Sequence, residues 1–597
     1  MSQPKEKLAA AIQLHKLGEF AAAAGIYRDI LISHPAQPDA LHLLGLTQHQ
    51  RGEHAAAVAT ISEAIAVHPR ESGFYANRGE ALRALGQFAA AEADFRHALK
   101  LAPSAAAQSN LGLVLRAQEQ FTQAQAAFAQ AIAIKPAFPE AHNNLALLLQ
   151  DMGDIEGAIR AFEHAVALRE GFWEANNNLG AALRLAGRKD EALAAFEAGL
   201  AANPPPRNRA DLMHHIAEIV SENGDHRRAA DILEQAITLD PESSLAFNNL
   251  AANQMRLDAI EAAIANGRRA IELHPDNADA HRNLGINLLL LQRFEEGWRE
   301  YAWRRKCRDF MQQSRPFVQP YWTGEGLAGL PLLVFGEQGV GDEIFYAAMV
   351  PDLLQEGMSA IIEVDPRLVP LFARSFPAAR VVARSVPPAA ITGEAAAQIA
   401  IGDLGSRYRN GIAQFALQPG YLVADAERSA RVRRELGVPD GHRLVGISWS
   451  SSKDGIGRAK SAPLSLWGAI LRTPSMFFVD LQYGDTAAER TAVADALGVS
   501  VHKPDHLDPF HDIDGLAAVI SACDLVVTVS NTTAHLAGAL GKPTWVLLGA
   551  HAGRFWYWGR ASTHTPWYPS VVLFRQTHDG AWDEVIAAVA SRLREQA

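Results

Sequence analysis

A small residue returns to the same place every 33–37 positions through the first half of this chain. Ala11, Gly45, Gly79, Gly112, Ala146, Gly180, Ala217, Ala251 and Gly285 are separated by 34, 34, 33, 34, 34, 37, 34 and 34 residues. Twelve positions after each comes another: Ala23, Ala57, Ala91, Ala124, Ala158, Ala192, Ala229, Ala263 and Gly297. Proline closes most units, at Pro35, Pro69, Pro103, Pro136, Pro204, Pro241 and Pro275. Units of this kind cannot bury their apolar faces alone and must stack on their neighbours. Two helices approach closely only where the facing side chains are small, and proline suits the turn between units because it cannot continue a helix. Gly18, Gly52, Gly86, Gly153, Gly187 and Gly224 fall between the two helices of a unit, where glycine takes a positive φ at little cost.

The pattern resembles tetratricopeptide repeats, about nine of them over residues 4–305, and implies an α solenoid. Two positions before the small residue of the first helix stand Asn77, Asn110, Asn144, Asn178, Asn249 and Asn283, a series that Leu43 and His215 interrupt. Asparagine is a mediocre helix former, so propensity does not explain the stripe. Its amides either bind an extended peptide backbone, since each carries both donors and an acceptor, or tie neighbouring repeats together. The stripe resembles the asparagine ladder of the O-linked N-acetylglucosamine transferases. That resemblance implies a protein or peptide acceptor along the repeats.

The period ends after Arg305. Residues 306–330 hold Pro316, Pro320, Gly324, Gly326 and Gly329 and read as a linker. From 331 onward, strand-like runs alternate with helical ones, the pattern of βαβ units. Strands are expected at 331–335, 360–364, 380–383 and 398–401, then at 444–448, 477–481, 499–502, 525–529 and 544–548. Helices are expected between them, including 342–355 and 532–540, and a last one over 582–594. Two α/β domains follow, 331–430 and 431–597, with the ligand expected in the cleft where strand C-termini meet helix N-termini. A net charge of −11 argues against a nucleic-acid partner. Cys307 and Cys523 form neither a disulfide framework nor a zinc pattern. No uncharged apolar run is long enough to span a membrane, and MSQPKEKLAA lacks a signal-peptide pattern, so the expectation is a cytoplasmic protein.

Three stretches carry candidate chemistry. GEQGVGDEIFYAAM, 336–349, sets a glycine-rich turn with Gly336, Gly339 and Gly341 before a helix that Asp342 opens. Its spacing fits neither a dinucleotide fingerprint nor a P-loop. The glycines would let a substrate approach the backbone, and Asp342 reads either as a helix cap or as an acid facing the cleft. VSNTTAHLAGALGKPTWVLLG, 529–549, sets Ser530, Asn531, Thr532 and Thr533 at a helix N-terminus, with His535 one turn on. That suits a diphosphate, although capping is the plainer reading. SWSSSKDGIGRAKSAPLSLW, 448–467, places Lys453, Arg458 and Lys460 in a loop, either solvated or neutralising a leaving diphosphate.

With LQYGD at 481–485 and PWYPSVVLFRQ at 566–576, these stretches resemble glycosyltransferase family 9, the heptosyltransferase-like group, in its branch fused to tetratricopeptide repeats. The likeness covers about residues 320–597. It implies two Rossmann-like domains of GT-B type, 331–430 on the acceptor side and 431–597 on the nucleotide-sugar side. It implies an inverting, metal-independent transfer, without cofactor, from a nucleotide-diphosphate sugar donor. In that family an aspartate in the first glycine-rich loop is the catalytic base, and Asp342 matches it. Lys460 matches the lysine that contacts donor phosphate. Ser530, Asn531, Thr532, Thr533 and His535 match the pyrophosphate cradle, and Arg458, Gln482 and Asp485 join the donor-binding candidates. Heptose-transferring members carry an aspartate where Ser530 stands, which turns the expectation away from a heptose donor. A non-catalytic adaptor with a degenerate GT-B domain, and a transferase acting on lipopolysaccharide or another glycan, are the alternatives.

Asp512 and Asp514 form a D-x-D that introduces a helix and reads as capping. The loop holding His502, Asp505, His506, Asp508 and His511 has no standard zinc spacing, and no metal is expected. Trp556, Tyr557, Trp558, Trp567 and Tyr568, with Arg554, either stack on a base or sugar or pack the C-terminal helix.

Overall fold

The computed structural model describes residues 3–312, 315–415, 420–451, 457–505, 507–551 and 555–596. Two compact units form: residues 1–224 with 238–241, and residues 225–237 with 242–597.

The first unit is a run of helix pairs, from Gln3–Lys16 with Phe20–Ser33 to Trp173–Leu185 with Lys189–Ala201, and then Pro206–Glu222. The recurring small residue is explained by a bulky one sixteen positions later. A Cβ added at Gly112 would lie 2.5 Å from the Phe128 ring, and one at Gly180 would lie 2.6 Å from Phe196. Glycine therefore makes room for a ring on the partner helix, and Phe95, Phe128, Phe162 and Phe196 are fully buried. The turn glycines named above have φ between 73° and 90°. Glu119 holds the same place at φ 60° without being glycine, as Asp258 and Gln292 do in the second unit.

The second unit opens with His226–Leu239 and two further pairs, Ser244–Arg256 with Ile260–Leu273 and Ala278–Leu290 with Phe294–Tyr301. The last helix is short, only 8 residues, and runs into a 3-10 turn, Ala302–Lys306. Trp298, Tyr301 and Arg304 are buried there, and Trp298 Nε1 donates to the Arg409 carbonyl at 2.9 Å. Leu284, Leu288 and Trp298 share one core with Leu332, Val334 and Phe345 of the sheet region. Residues 306–330, read above as a linker, are anchored to it: Trp322 N donates to the Gln398 carbonyl at 2.8 Å, and Gln398 N to that of Pro320 at 2.9 Å.

Two sheets follow. The first is parallel throughout, in the order β3–β2–β1–β4, with β1 Leu332–Phe335, β2 Ala360–Val364, β3 Arg380–Ala383 and β4 Ala397–Ala400. The second has the order β10–β11–β9–β8–β5–β6–β7. Its strands are β5 Arg443–Ser448, β6 Met476–Asp480, β7 Val501–His502, β8 Leu525–Val529, β9 Thr544–Leu548, β10 His564–Thr565 and β11 Tyr568–Arg575, and only the β10–β11 pairing is antiparallel. β1, β2, β8 and β9 are buried along their whole length, as strands covered on both faces must be. β1 lies between β2 and β4, and β5 between β6 and β8, so each sheet has a switch point where strand order reverses. The helix expected over 342–355 is broken into Val340–Tyr346, a 3-10 turn and Val350–Gln355, which carries proline at its start. Among the described residues no helix is long and apolar enough to cross a membrane.

Candidate functional site

The loops after β1, β5 and β8 converge on a cavity of about 600 Å³. Gly339, Gly341 and Asp342 line it from the first loop, Ser451 and Lys460 from the second, and Ser530, Asn531, Thr532, Thr533 and His535 from the third. Residues apart in sequence by nearly two hundred positions are thus brought to one wall.

Asp342 is the third residue of Val340–Tyr346, not its N-cap, which is Gly339. Its carboxylate reaches back to accept the Gly339 N–H at 3.3 Å, so it still serves the first turn while lining the cavity. The neighbouring acids are occupied elsewhere. Glu343 is fully buried, accepts the Asp365 N–H at 2.8 Å and pairs with Arg384. Glu337 is held by Arg304 at 2.9 and 2.5 Å and by the Gly402 N–H at 2.9 Å.

The three glycines differ in place: Gly339 and Gly341 line the cavity, and Gly336 does not. A Cβ at Gly336 would collide with the Glu343 carboxylate at 2.6 Å, so Gly336 answers to that buried acid. A Cβ at Gly341 would stand 3.4 Å from Thr532 Oγ1, which marks how closely the first and third loops approach. Gly339 is open apart from Asp342. The left-handed residue of the turn is Gln338, at φ 61°, a conformation that costs a side-chain-bearing residue about 1–2 kcal/mol. Its Nε2 donates to Tyr301 Oη at 3.1 Å, which ties the turn to the last repeat.

In the third loop, Asn531 is the N-cap of Thr532–Ala539 and accepts the Ala534 N–H at 3.3 Å. Its Nδ2 donates to Ser448 Oγ at 2.8 Å and to the Ser450 carbonyl at 3.1 Å, stapling the third loop to the second. Ser530 Oγ accepts from Trp558 Nε1 at 2.9 Å. Thr532 and Thr533 then open the helix at the cavity wall, where a helix N-terminus favours an anion. Lys460 is buried, its Nζ 4.9 Å from the Phe555 ring centre. His535 is buried too; burial, with Lys460 adding to it, pushes its pKa down to about 3. The neutral ring stacks on Trp558 at 5.2 Å and hydrogen-bonds Tyr568 at 3.0 Å, so it offers no charge to a phosphate at neutral pH.

Gln482 and Asp485 lie outside the cavity lining. Gln482 Oε1 accepts from Ser448 Oγ at 2.8 Å and from the N–H groups of Trp449 and Ser450 at 3.1 and 3.0 Å, so it shapes the second loop from behind. Exposed Asp485 accepts the Ala487 N–H at 3.0 Å. Lys453, His506, Arg554 and the Arg458 side chain lie outside the described residues. Sequence reasoning missed Arg367, Tyr483 and Phe510, which also line the cavity. Arg367 Nη1 donates to the Phe510 carbonyl at 3.0 Å, and Phe510 keeps 50% of its surface exposed. Among the expected signals only an isolated exposed aromatic could have pointed to it, and no motif contains it.

The crowded aromatics pack, but not against the C-terminal helix. Trp556 meets Trp298 at 5.3 Å and Trp567 meets Phe345 at 4.4 Å; of the five, only Tyr557 reaches the cavity. Asp512 caps Ile513–Ala522 and pairs with Arg428, while Asp514 pairs with Arg374. Among the described residues, the group of three that could hold a metal is His214, His215 and Glu218 in the first unit, and there Arg184 already pairs with Glu218.

The asparagine stripe does tie repeats together. Asn144 Nδ2 donates to Ser109 Oγ at 3.3 Å, Asn178 Nδ2 to Asn143 Oδ1 at 3.1 Å and, in the second unit, Asn283 Nδ2 to Asn248 Oδ1 at 3.0 Å. Asn77 meets His42 at 2.6 Å, and each of these partners lies 35 residues back; Asn110 reaches Glu80 instead, at 2.5 Å. An amide has two N–H groups and an oxygen, so one such bond does not exhaust it.

Family models described as tetratricopeptide repeat match residues 8–75, 143–205, 217–277 and 72–105, and one described as TPR repeat matches 112–153. Among solved structures, the chain resembles the APC/C hetero-tetramer Cut9–Hcn1 at 17% identity and TM-score 0.35, over 45% of this chain and 52% of that one, so it spans about half of that relative. It resembles YrrB, titled a TPR protein with an unusual peptide-binding site, at 24% identity and TM-score 0.27, over 31% of this chain and 95% of that one. The STIP1 homolog of Dictyostelium discoideum is 36% identical over 72 residues, 12% of this chain and 13% of that protein. Protein FlbA of Caulobacter vibrioides is 33% identical over 420 residues, 67% of this chain and 69% of FlbA, and with that coverage behind it this tetratricopeptide-repeat chain belongs to the FlbA family.

Proposed function

We propose that the second unit is a GT-B-type glycosyltransferase that moves a sugar from a nucleotide-diphosphate donor to a protein acceptor by an inverting, metal-independent mechanism. One observation carries the reading: a carboxylate on the loop after β1 shares a cavity with a lysine and a helix N-terminus from the second sheet. Asp342 takes the proton from the acceptor hydroxyl as its oxygen attacks the anomeric carbon, opposite the departing nucleoside diphosphate. Lys460 and the Thr532 and Thr533 N–H groups stabilise the charge developing on that diphosphate. Asn531 and Gln482 position the second loop, and Tyr483 and Phe510 offer flat faces to the base or sugar. The asparagine stripe supports a polypeptide acceptor, because side-chain amides pair with peptide backbone whatever its sequence.

A thermal-shift screen of nucleotide sugars identifies the donor, since a bound ligand raises Tm. Asp342→Asn keeps an oxygen for the Gly339 N–H, so fold and donor binding persist while transfer falls by roughly 10²–10⁴-fold. Transfer at the parent rate in that variant removes Asp342 from the mechanism. Lys460→Ala weakens donor binding by roughly 10–100-fold, the size of a lost charged hydrogen bond; unchanged affinity takes Lys460 out of the donor site. No shift with any donor favours the non-catalytic adaptor.

A further inference from the structure

The last repeats and the glycine-rich turn enclose a further cavity of about 450 Å³ within the second unit. Arg256, Arg282, Asn283 and Asn287 line it from the repeats, and Asp309 and Gln338 from beyond them. Asp309 and Gln338 also line the cavity that holds Asp342, so the two share a wall.

The charges here do not balance. Arg304 is matched by Glu337 and Asp403, and Arg282 by Asp279 at 2.8 Å and Asp309 at 3.0 Å. Half-buried Arg256 pairs with no carboxylate among the described residues, and burial lowers its pKa with nothing opposing it. Asn287 is 1% exposed, yet its Oδ1 has no hydrogen-bond partner. A guanidinium without a carboxylate and an asparagine with an unanswered amide oxygen therefore line one cavity, and the desolvated part of that charge favours a carboxylate entering it.

We propose that this cavity seats the acceptor polypeptide beside the residue to be glycosylated, and that Arg256 selects acceptors carrying aspartate or glutamate there. The inference rests on the glycosyltransferase reading above. A guanidinium fork matches a carboxylate with two parallel hydrogen bonds. Asn283, of the stripe, and Asn287 stand one helical turn apart on the same wall, and side-chain amides of this kind pair with peptide backbone. Met255, Ile286 and Phe310 also line the cavity, which suits the apolar parts of a peptide better than a glycan.

The test uses the full chain and an array of 15-residue peptides of Gly, Ala, Ser and Thr, with a single Asp, Asn or Lys stepped through every position. The parent should retain Asp peptides at least about tenfold better than Asn peptides at one or two positions. Arg256→Gln should abolish that difference, Arg256→Lys should keep part of it, and Arg256→Glu should move the preference to Lys. Thermal shift with a panel of nucleoside diphosphates, run on each variant, reports whether it is folded. No Asp-over-Asn preference in the parent, or the same preference in Arg256→Gln, overturns the proposal. A nucleotide shift without acid preference leaves the transferase standing and this inference fallen; acid preference without any nucleotide shift keeps the acid-reading peptide site and overturns its role as an acceptor seat.

Discussion

Two helix pairs built on one template end in different ways. In the first unit, Ala105–Ala117 packs on Phe121–Ile134 through Gly112 and the Phe128 ring. In the second unit, Ala278–Leu290 packs on Phe294–Tyr301, and a Cβ at Gly285 would lie 2.5 Å from the backbone nitrogen of Tyr301. The first pair has an exposed ion pair with its neighbour, Arg116 to Asp151 at 2.5 Å. The last has Arg304, whose side chain is 3% exposed and pairs with Glu337 after β1 and Asp403 after β4. A regular repeat satisfies itself locally, so it can be multiplied. The last repeat instead spends its polar groups on the sheets and thereby holds the turn that carries Asp342.

The largest effect should come from breaking that tie. Arg304→Met leaves Glu337 buried without its cation, while Asp403 keeps Arg305 at 2.9 Å, a loss of about 3–5 kcal/mol. Arg116→Met removes an exposed pair worth about 0–1 kcal/mol. Every tryptophan except Trp173 lies in the second unit, so tryptophan fluorescence during urea unfolding reads that unit, while far-UV circular dichroism follows the helices of both. Equal losses in the two variants would mean that Arg304 is no more than another repeat residue.

A smaller contrast comes from one methyl group at equivalent positions. Gly112→Ala forces the Phe128 side chain aside, at about 1–3 kcal/mol. Gly285→Ala meets backbone, which cannot rotate away, so its cost should sit at the top of that range or above it. If Gly112→Ala proves the more damaging, the last pair is not the tighter one.

The sequence made the repeats legible because their determinants recur at fixed spacing, and it made most strands legible because buried parallel strands are unbroken apolar runs. β11 escaped because Pro569 and Ser570 interrupt its pattern. Asp342, Lys460 and the Asn531–Thr533 turn were legible as polar residues at strand ends, where a cleft must form. Arg304, Glu337 and Asp403 were not, since their pairing spans 33 and 99 residues and no local pattern encodes it. Gln338 gives no sign of its left-handed backbone in the sequence, because Gly336 and Gly339 on either side are the residues a turn ordinarily uses. Gln482 and Asn531 carry loop-building roles that the sequence cannot separate from ligand binding, as an amide does both with the same atoms.

The smallest effect concerns His535, a predicted donor ligand whose charge state the surroundings set. Burial lowers its pKa from 6.5 to about 3, so the folded unit holds it neutral while the unfolded chain protonates it below pH 6.5. A depressed histidine pKa therefore contributes stability in full above pH 6.5, and that stability is lost as pH falls toward 3. At pH 5.5 the loss is about 1 kcal/mol, one unit of the shift having been traversed. His535→Gln retains a hydrogen-bonding side chain but does not titrate, so urea midpoints read by tryptophan fluorescence at pH 7.5 and 5.5 should differ less in the variant than in the parent. An identical pH difference in parent and variant would mean that His535 titrates in the folded unit as it does in the unfolded chain, and that burial does not hold it neutral.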